Sequence, residues 1–237
     1  MKKIFTTLTI AIFATIVASA QGFSRYELDV KDFTELRIVN GINVIYINNS
    51  DSTGIATYIA SDETASAIIF NNNKGKLEIR LDPQRNGLTN LPTVTLYSKF
   101  LTRIENHGDS IVKVMNITPC PDFKARLVGN GRLIIKNLDV TNFDGSIDTG
   151  NGQLVVNGKC TNAKLSCTGT GTIQADELVA NDTKCVLLGT GTIGCKAAKN
   201  LNVAGATSGG KVYYKGDPEQ IKNRSVGAKL VSIDNEK

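Results

Sequence analysis

Between residues 128 and 196 the chain reads VGNGRLIIK (128–136), TGNGQLVVN (149–157), TGTGTIQAD (168–176) and LGTGTIGCK (188–196). Each stretch is a glycine corner followed by a short run in which every second position is apolar. HGDSIVKV (107–114) precedes the set, and TSGGKVYYK (207–215) and SVGAKLVSI (225–233) follow it. With the first corner position set as zero, the copies start at Gly108, Gly129, Gly150, Gly169, Gly189, Ser208 and Gly227, spaced 19 to 21 residues apart. Four residues on stand Val112, Leu133, Leu154, Ile173, Ile193, Val212 and Val231, all apolar. Six residues on stand Val114, Ile135, Val156, Ala175, Cys195, Tyr214 and Ile233, again all apolar. Period-two alternation makes each copy a short strand with one buried face. One column that stays apolar through every copy requires strands stacked in register.

The expectation is an all-β fold, a single-stranded right-handed β-helix (β-solenoid) with coils of about 20 residues and an irregular N-terminal cap. At ~4.8 Å per coil, seven corners span roughly 29 Å. Glycine suits the corners because it accepts φ > 0 and lets the next coil approach closely. Half of the 22 glycines lie in the two corner columns, so the composition and the repeat are one fact. A G-x-G loop cradles phosphate when it opens a helix; here each precedes another strand.

Around the repeat, residues 21–100 carry strand signals without a clean period. FTELRIVNGINVIYINNS offers strands on either side of Asn40-Gly41, and SDETASA offers a helical turn capped by Ser61 or Asp62. AIIFNNNKGKLEIRLD reads as a hairpin turning at Asn73-Lys74-Gly75. The division expected is a signal peptide over 1–20 and one solenoid domain over 21–237, irregular to about residue 100 and regular over about 101–233.

The signal reading rests on Lys2 and Lys3, the uncharged apolar stretch Ile4 to Val17, and Ala18-Ser19-Ala20 as a cleavage site before Gln21. The apolar stretch is short for a bilayer, which needs ~20 residues. No transmembrane segment is expected after cleavage, and the product is placed in the periplasm or on the outer cell surface. Cleavage lowers the formal charge from +5 to +3, too little to argue for nucleic acid. Cys120, Cys160, Cys167, Cys185 and Cys195 are odd in number and form no CxxC; buried thiols are expected.

Asn40-Gly41-Ile42-Asn43-Val44 after FTELRIV, the repeated G-x-G-x-I corners and SGGKVYYKGDPEQIKNRSVGAKLVSI together resemble the bacterial putative auto-transporter adhesin, head GIN domain family. The likeness runs from about Phe33 to Ile233. It implies exported β-helical proteins of the periplasm or cell surface and no established activity.

The residues between the corner glycines, Asn130, Asn151, Thr170 and Thr190 among them, form either a polar ladder for a ligand or caps for backbone groups. Tyr213, pointing away from Tyr214, is the exposed aromatic candidate. Catalytic and metal-ligating residues and cofactors are not expected. His107 is the only imidazole and has no nucleophile motif around it. Asp139, Asp144, Asp148, Asp176, Glu177 and Asp182 form no single column. Asp109-Ser110-Ile111 and Asp51-Ser52-Thr53 resemble an O-glycosylation acceptor. The leading reading is a non-catalytic binding or adhesion protein of the envelope, with glycan or protein as partner. A carbohydrate-active β-helix enzyme and a structural subunit that forms homo-oligomers through solenoid edges stand as alternatives.

Overall fold

A computed structural model describes residues 17–18, 22–85, 87–88, 90–207 and 209–233. The expected leader and its cleavage site otherwise lie outside the described residues; Val17–Ala18 pairs antiparallel with Arg25 and Ser24. Strand takes 65% of the structure and helix 3%, and the strands wind a β-solenoid of about six turns with coils of about 20 residues.

Each regular coil has a front side after the glycine corner, a short third side, and a back side that leads to the next corner. On the front, Ile111–Val114 pairs in parallel with the start of Arg132–Thr149, which pairs with Gln153–Gly169 and that with Thr172–Gly189. Thr192–Lys196 and Lys211–Lys215 continue the stack. The inward column Val112, Leu133, Leu154, Ile173, Ile193 and Val212 is wholly buried. Spacing changes between coils are absorbed where the long strands leave the front side, as the register shifts at 135–138 and 155–157 show. Asn137 takes φ +55° there, and its N–H is accepted by Asn157 Oδ1 at 2.9 Å. A polar side chain thus satisfies the donor that the extra residue leaves out of the ladder.

The last coil departs from the sequence alignment by one residue. Lys229 pairs with Lys211, Leu230 with Val212 and Val231 with Tyr213. Leu230, not Val231, packs against the core. The cause is a shorter corner: Val226 bridges Ala206, twenty positions back, whereas Lys229 sits only eighteen from its partner.

In the N-terminal third, spatial order and chain order part. Glu35–Val39 and Val44–Asn48 form a coil that lies against Arg103–His107 and Ile111–Val114. Lys76–Leu81 and Val94–Ser98 come later in the chain, yet they stack on the outer side of that coil. Antiparallel strands cover the end: Ile55–Ala60 on Val94–Ser98, Ser24–Asp29 on Ile55–Ala60, and Ile68–Asn73 on Lys76–Leu81. The hairpin at residues 73–75 forms as expected, with Lys74 and Gly75 at φ +53° and +80°. The helix Asp62–Ala67 crosses between the two sides, and its N-cap Ser61 accepts from the Thr64 N–H.

All five cysteines are free and buried. Burial pushes the Cys160 thiol up to about 12 and Cys167 to about 11. Cys185 rises through its hydrogen bond with Cys195 and through burial. Thiols held protonated in this way are inert packing groups.

Candidate binding surface

The segment 40–43 stacks on the first regular corner. Asn40, at φ +67°, stands where Gly108 stands one coil on, and Gly41 follows at φ +79°. Ile42 fills the core, and Asn43 Oδ1 accepts the Ile111 N–H at 2.8 Å. The tripeptide Gly41-Ile42-Asn43 therefore turns the chain, fills the core and ties one coil to the next.

The corner column stands out at the edge between back and front sides, and Asn130, Asn151, Thr170 and Thr190 are all exposed. Two of these side chains are engaged with neighbouring backbone: Asn130 Oδ1 accepts from the Asn151 N–H at 3.0 Å, and Thr170 Oγ1 donates to Gly150 O at 3.2 Å. Tyr213 points outward on the front side as expected, half-buried between Gly194 and Val231. It belongs to a different side from the corner column and does not join it.

On the back side the structure places a second polar surface that the sequence pattern alone did not single out. Asp122, Asn142, Asn162, Asp182 and Asn200 form one outward column; Lys124, Asp144, Lys164, Lys184 and Asn202 form another two residues along. Phe123, Phe143, Ala163 and Thr183 alternate inward between them and are buried. Backbone thus floors a trough of about 370 Å³ between two polar rims. Asn142 Nδ2 donates to Asp122 Oδ1 at 2.9 Å and Asn162 Nδ2 to Asn142 Oδ1 at 2.8 Å. Asn200 donates to Asp182, and Lys164 Nζ meets Asp144 Oδ2 at 3.1 Å. Asn142 and Asn162 recur twenty residues apart, a signal present in the sequence but away from the glycine corners that dominate its pattern.

The candidate catalytic acids are dispersed and paired. Asp139 meets Lys159 at 3.1 Å, Asp148 meets Arg126, and Asp176 and Glu177 share Lys215 at 2.8 Å each. His107 Nε2 lies 2.9 Å from Glu105 Oε2. Ser110 turns inward, its Oγ donating to Asn106 Oδ1 at 2.7 Å. At 2% exposure, Ser110 is not presented for glycosylation, which removes the first of the two acceptor tripeptides; Ser52 and Thr53 of the second are half-buried. Burial pushes the Glu105 carboxyl up, but hydrogen bonds from Arg103 and His107 hold it below its ordinary value.

Residues 32–218 match the family model described as putative auto-transporter adhesin, head GIN domain. The chain belongs to this family. Among solved structures, a putative adhesin from Bacteroides fragilis superposes with a TM-score of 0.79 at 22% identity, covering 90% of this chain and 98% of its own. A putative lipid binding protein from Parabacteroides distasonis gives 0.71 at 18% identity, covering 90% and 97%. A putative adhesin from Parabacteroides merdae gives 0.68 at 16%, with the same coverage. At these identities the likeness is one of fold. No curated protein matches the chain. Among the described residues no helix is long and apolar enough to cross a membrane.

Proposed function

We propose that this GIN-domain chain is an exported, non-catalytic binding protein of the cell envelope that offers its back-side trough to an extended partner, a glycan or a protein strand. The observation that carries the reading is the pair of polar columns at coil spacing, ~4.8 Å per step. A polymer lying along the solenoid axis would meet a polar group, amide, carboxylate or ammonium, on each rim at every coil. Fold relatives called putative adhesin and putative lipid binding protein support a binding role. The pairing of the acids across separate coils supports a non-catalytic one. Glycosidic cleavage needs two carboxyls facing one bond, whereas Asp139, Asp144, Asp148 and Asp182 each hold a separate partner and Asp176 and Glu177 converge on the Lys215 ammonium.

The corner residues Asn130, Asn151, Thr170 and Thr190, with Tyr213, form the second surface to test. The experiment is binding of the purified protein to a broad glycan array and to extracellular-matrix proteins. Replacing Asn142, Asn162 and Lys164 by Ala together is expected to weaken a saturable hit at least about tenfold, or ~1.4 kcal/mol. The corner variant with all four residues changed to Ala keeps it. A blank array, or loss confined to the corner variant, overturns the trough reading.

Assembly of copies through the far end is a second reading. It is favoured by Ile221 and Val226, exposed at 43% and 73% on the final coil. Light scattering that finds only monomer at high concentration removes it.

A further inference from the structure

The inward columns of the regular coils are buried, whereas the N-terminal end carries an open cleft. Between the covering strands and the helix Asp62–Ala67 the core opens into a cleft of about 430 Å³. That volume lies within the ~300–1,000 Å³ range of small-ligand sites. Its floor is the buried end of the core, Tyr58, Ile68 and Leu77. Tyr26, Tyr58 and Phe70 make a stacked row along it, with centroids 5.2 Å and 6.0 Å apart.

The charge in the lining has one sign. Among the described residues Asp62 and the exposed Asp29, whose Oδ1 accepts the Lys31 N–H at 2.9 Å, are the only acidic residues along it, and neither Lys nor Arg lines it. Tyr26 Oη donates to Asp62 Oδ1 at 2.5 Å, which fixes that carboxylate beside the aromatic row. Apolar walls favour an alkyl chain; carboxylates next to aromatic faces favour a cationic head and repel an anionic one.

We propose that this end cleft binds a single-chain amphiphile with an ammonium head, its tail on the Tyr58, Ile68 and Leu77 floor and its head beside Asp29 and Asp62. The site lies at the end of the solenoid, apart from the back-side trough, and stands or falls independently of it.

The test is isothermal titration of the purified protein with decyltrimethylammonium and with decanoate, both below their micelle-forming concentrations. The ammonium probe is expected to bind saturably, one per chain, and decanoate at least about tenfold more weakly, ~1.4 kcal/mol. Ala65→Phe fills the cleft from the helix and is expected to abolish binding without lowering the thermal midpoint. Should that variant misfold, the D29N/D62N double variant keeps the shape of the cleft and is expected to bring the two probes within about threefold of each other, ~0.65 kcal/mol. Three results overturn the proposal: no saturable ammonium binding, equal affinity for decanoate in the unmodified protein, or a head preference that survives loss of both carboxylates.

Discussion

The stack from residue 103 onward and the end built from residues 22–102 use the same strands and opposite logic. In the regular stack each coil lies beside its sequence neighbours, every pairing is parallel, and one glycine corner repeats. At the N-terminal end the coil 76–98 is laid outside the coil 35–48, and antiparallel strands close over both. Regular coils bury their inward columns and carry their polar columns outside. The end coils leave a cleft open to the inside. Repetition builds a uniform surface; breaking it builds a cavity.

Glycine replacement tests the difference most strongly. Gly158 and Gly41 both have positive φ, +127° and +79°. A Cβ on Gly158 would overlap the Leu138 backbone of the coil below, whereas one on Gly41 would meet nothing within 4 Å. Gly158→Ala therefore carries both strain and overlap, and is expected to cost about 3 kcal/mol or more. Gly41→Ala carries the backbone strain alone, about 1–2 kcal/mol. Urea unfolding midpoints measure both. Equal losses would mean that close approach of coil to coil does not set the regular stack apart.

How much of this could be read from the sequence follows the same divide. Apolar columns from Val112 to Val212 and the turn at residues 73–75 were legible, because local alternation and local turn chemistry decide them. That Lys76–Leu81 lies beyond Glu35–Val39 was not, since both read as half-buried strands and nothing local says which neighbour each will find. The ladder through Asn142 and Asn162 was in principle visible at twenty-residue spacing. The trough was less so, because its floor depends on Phe123, Phe143 and Ala163 all turning inward beside two outward columns. Leu230 was misaligned because the final corner is two residues shorter and retains a glycine at a shifted place.

Glu105 probes the seam where the two regions meet. It is 5% exposed, with Arg103 Nε at 2.7 Å, His107 at 2.9 Å and Arg37 of the adjoining coil 35–48 at 3.9 Å. Its carboxyl is held below the ordinary value, so its contribution is present above the unfolded-state value and lost as pH falls through the folded one. Glu105→Gln is expected to cost about 2 kcal/mol near neutral pH, as for hydrogen bonds to a charged group. The two stability curves should converge as pH falls through the lowered carboxyl value, beneath which both side chains are neutral. Curves that stay parallel would show that the seam does not depend on the carboxylate.

The smallest effect bears on the other end, where the repeat runs out. If the last coil kept the spacing of those before it, Val231 would be the inward residue and Leu230 the solvent-facing one. The observed pairing of Leu230 with Val212 and of Val231 with Tyr213 reverses them. Leu230→Ala is expected to lower stability by about 1–2 kcal/mol, less than a fully buried leucine because the site is only half-covered. Val231→Ala should stay within about 0.5 kcal/mol, as outward positions do. Thermal midpoints of the two variants separate the alternatives, since the even-spacing arrangement predicts the opposite order. The observed order would mean that the solenoid closes its last coil by shortening the corner, which keeps one leucine on the core while the glycine pattern drifts by a residue.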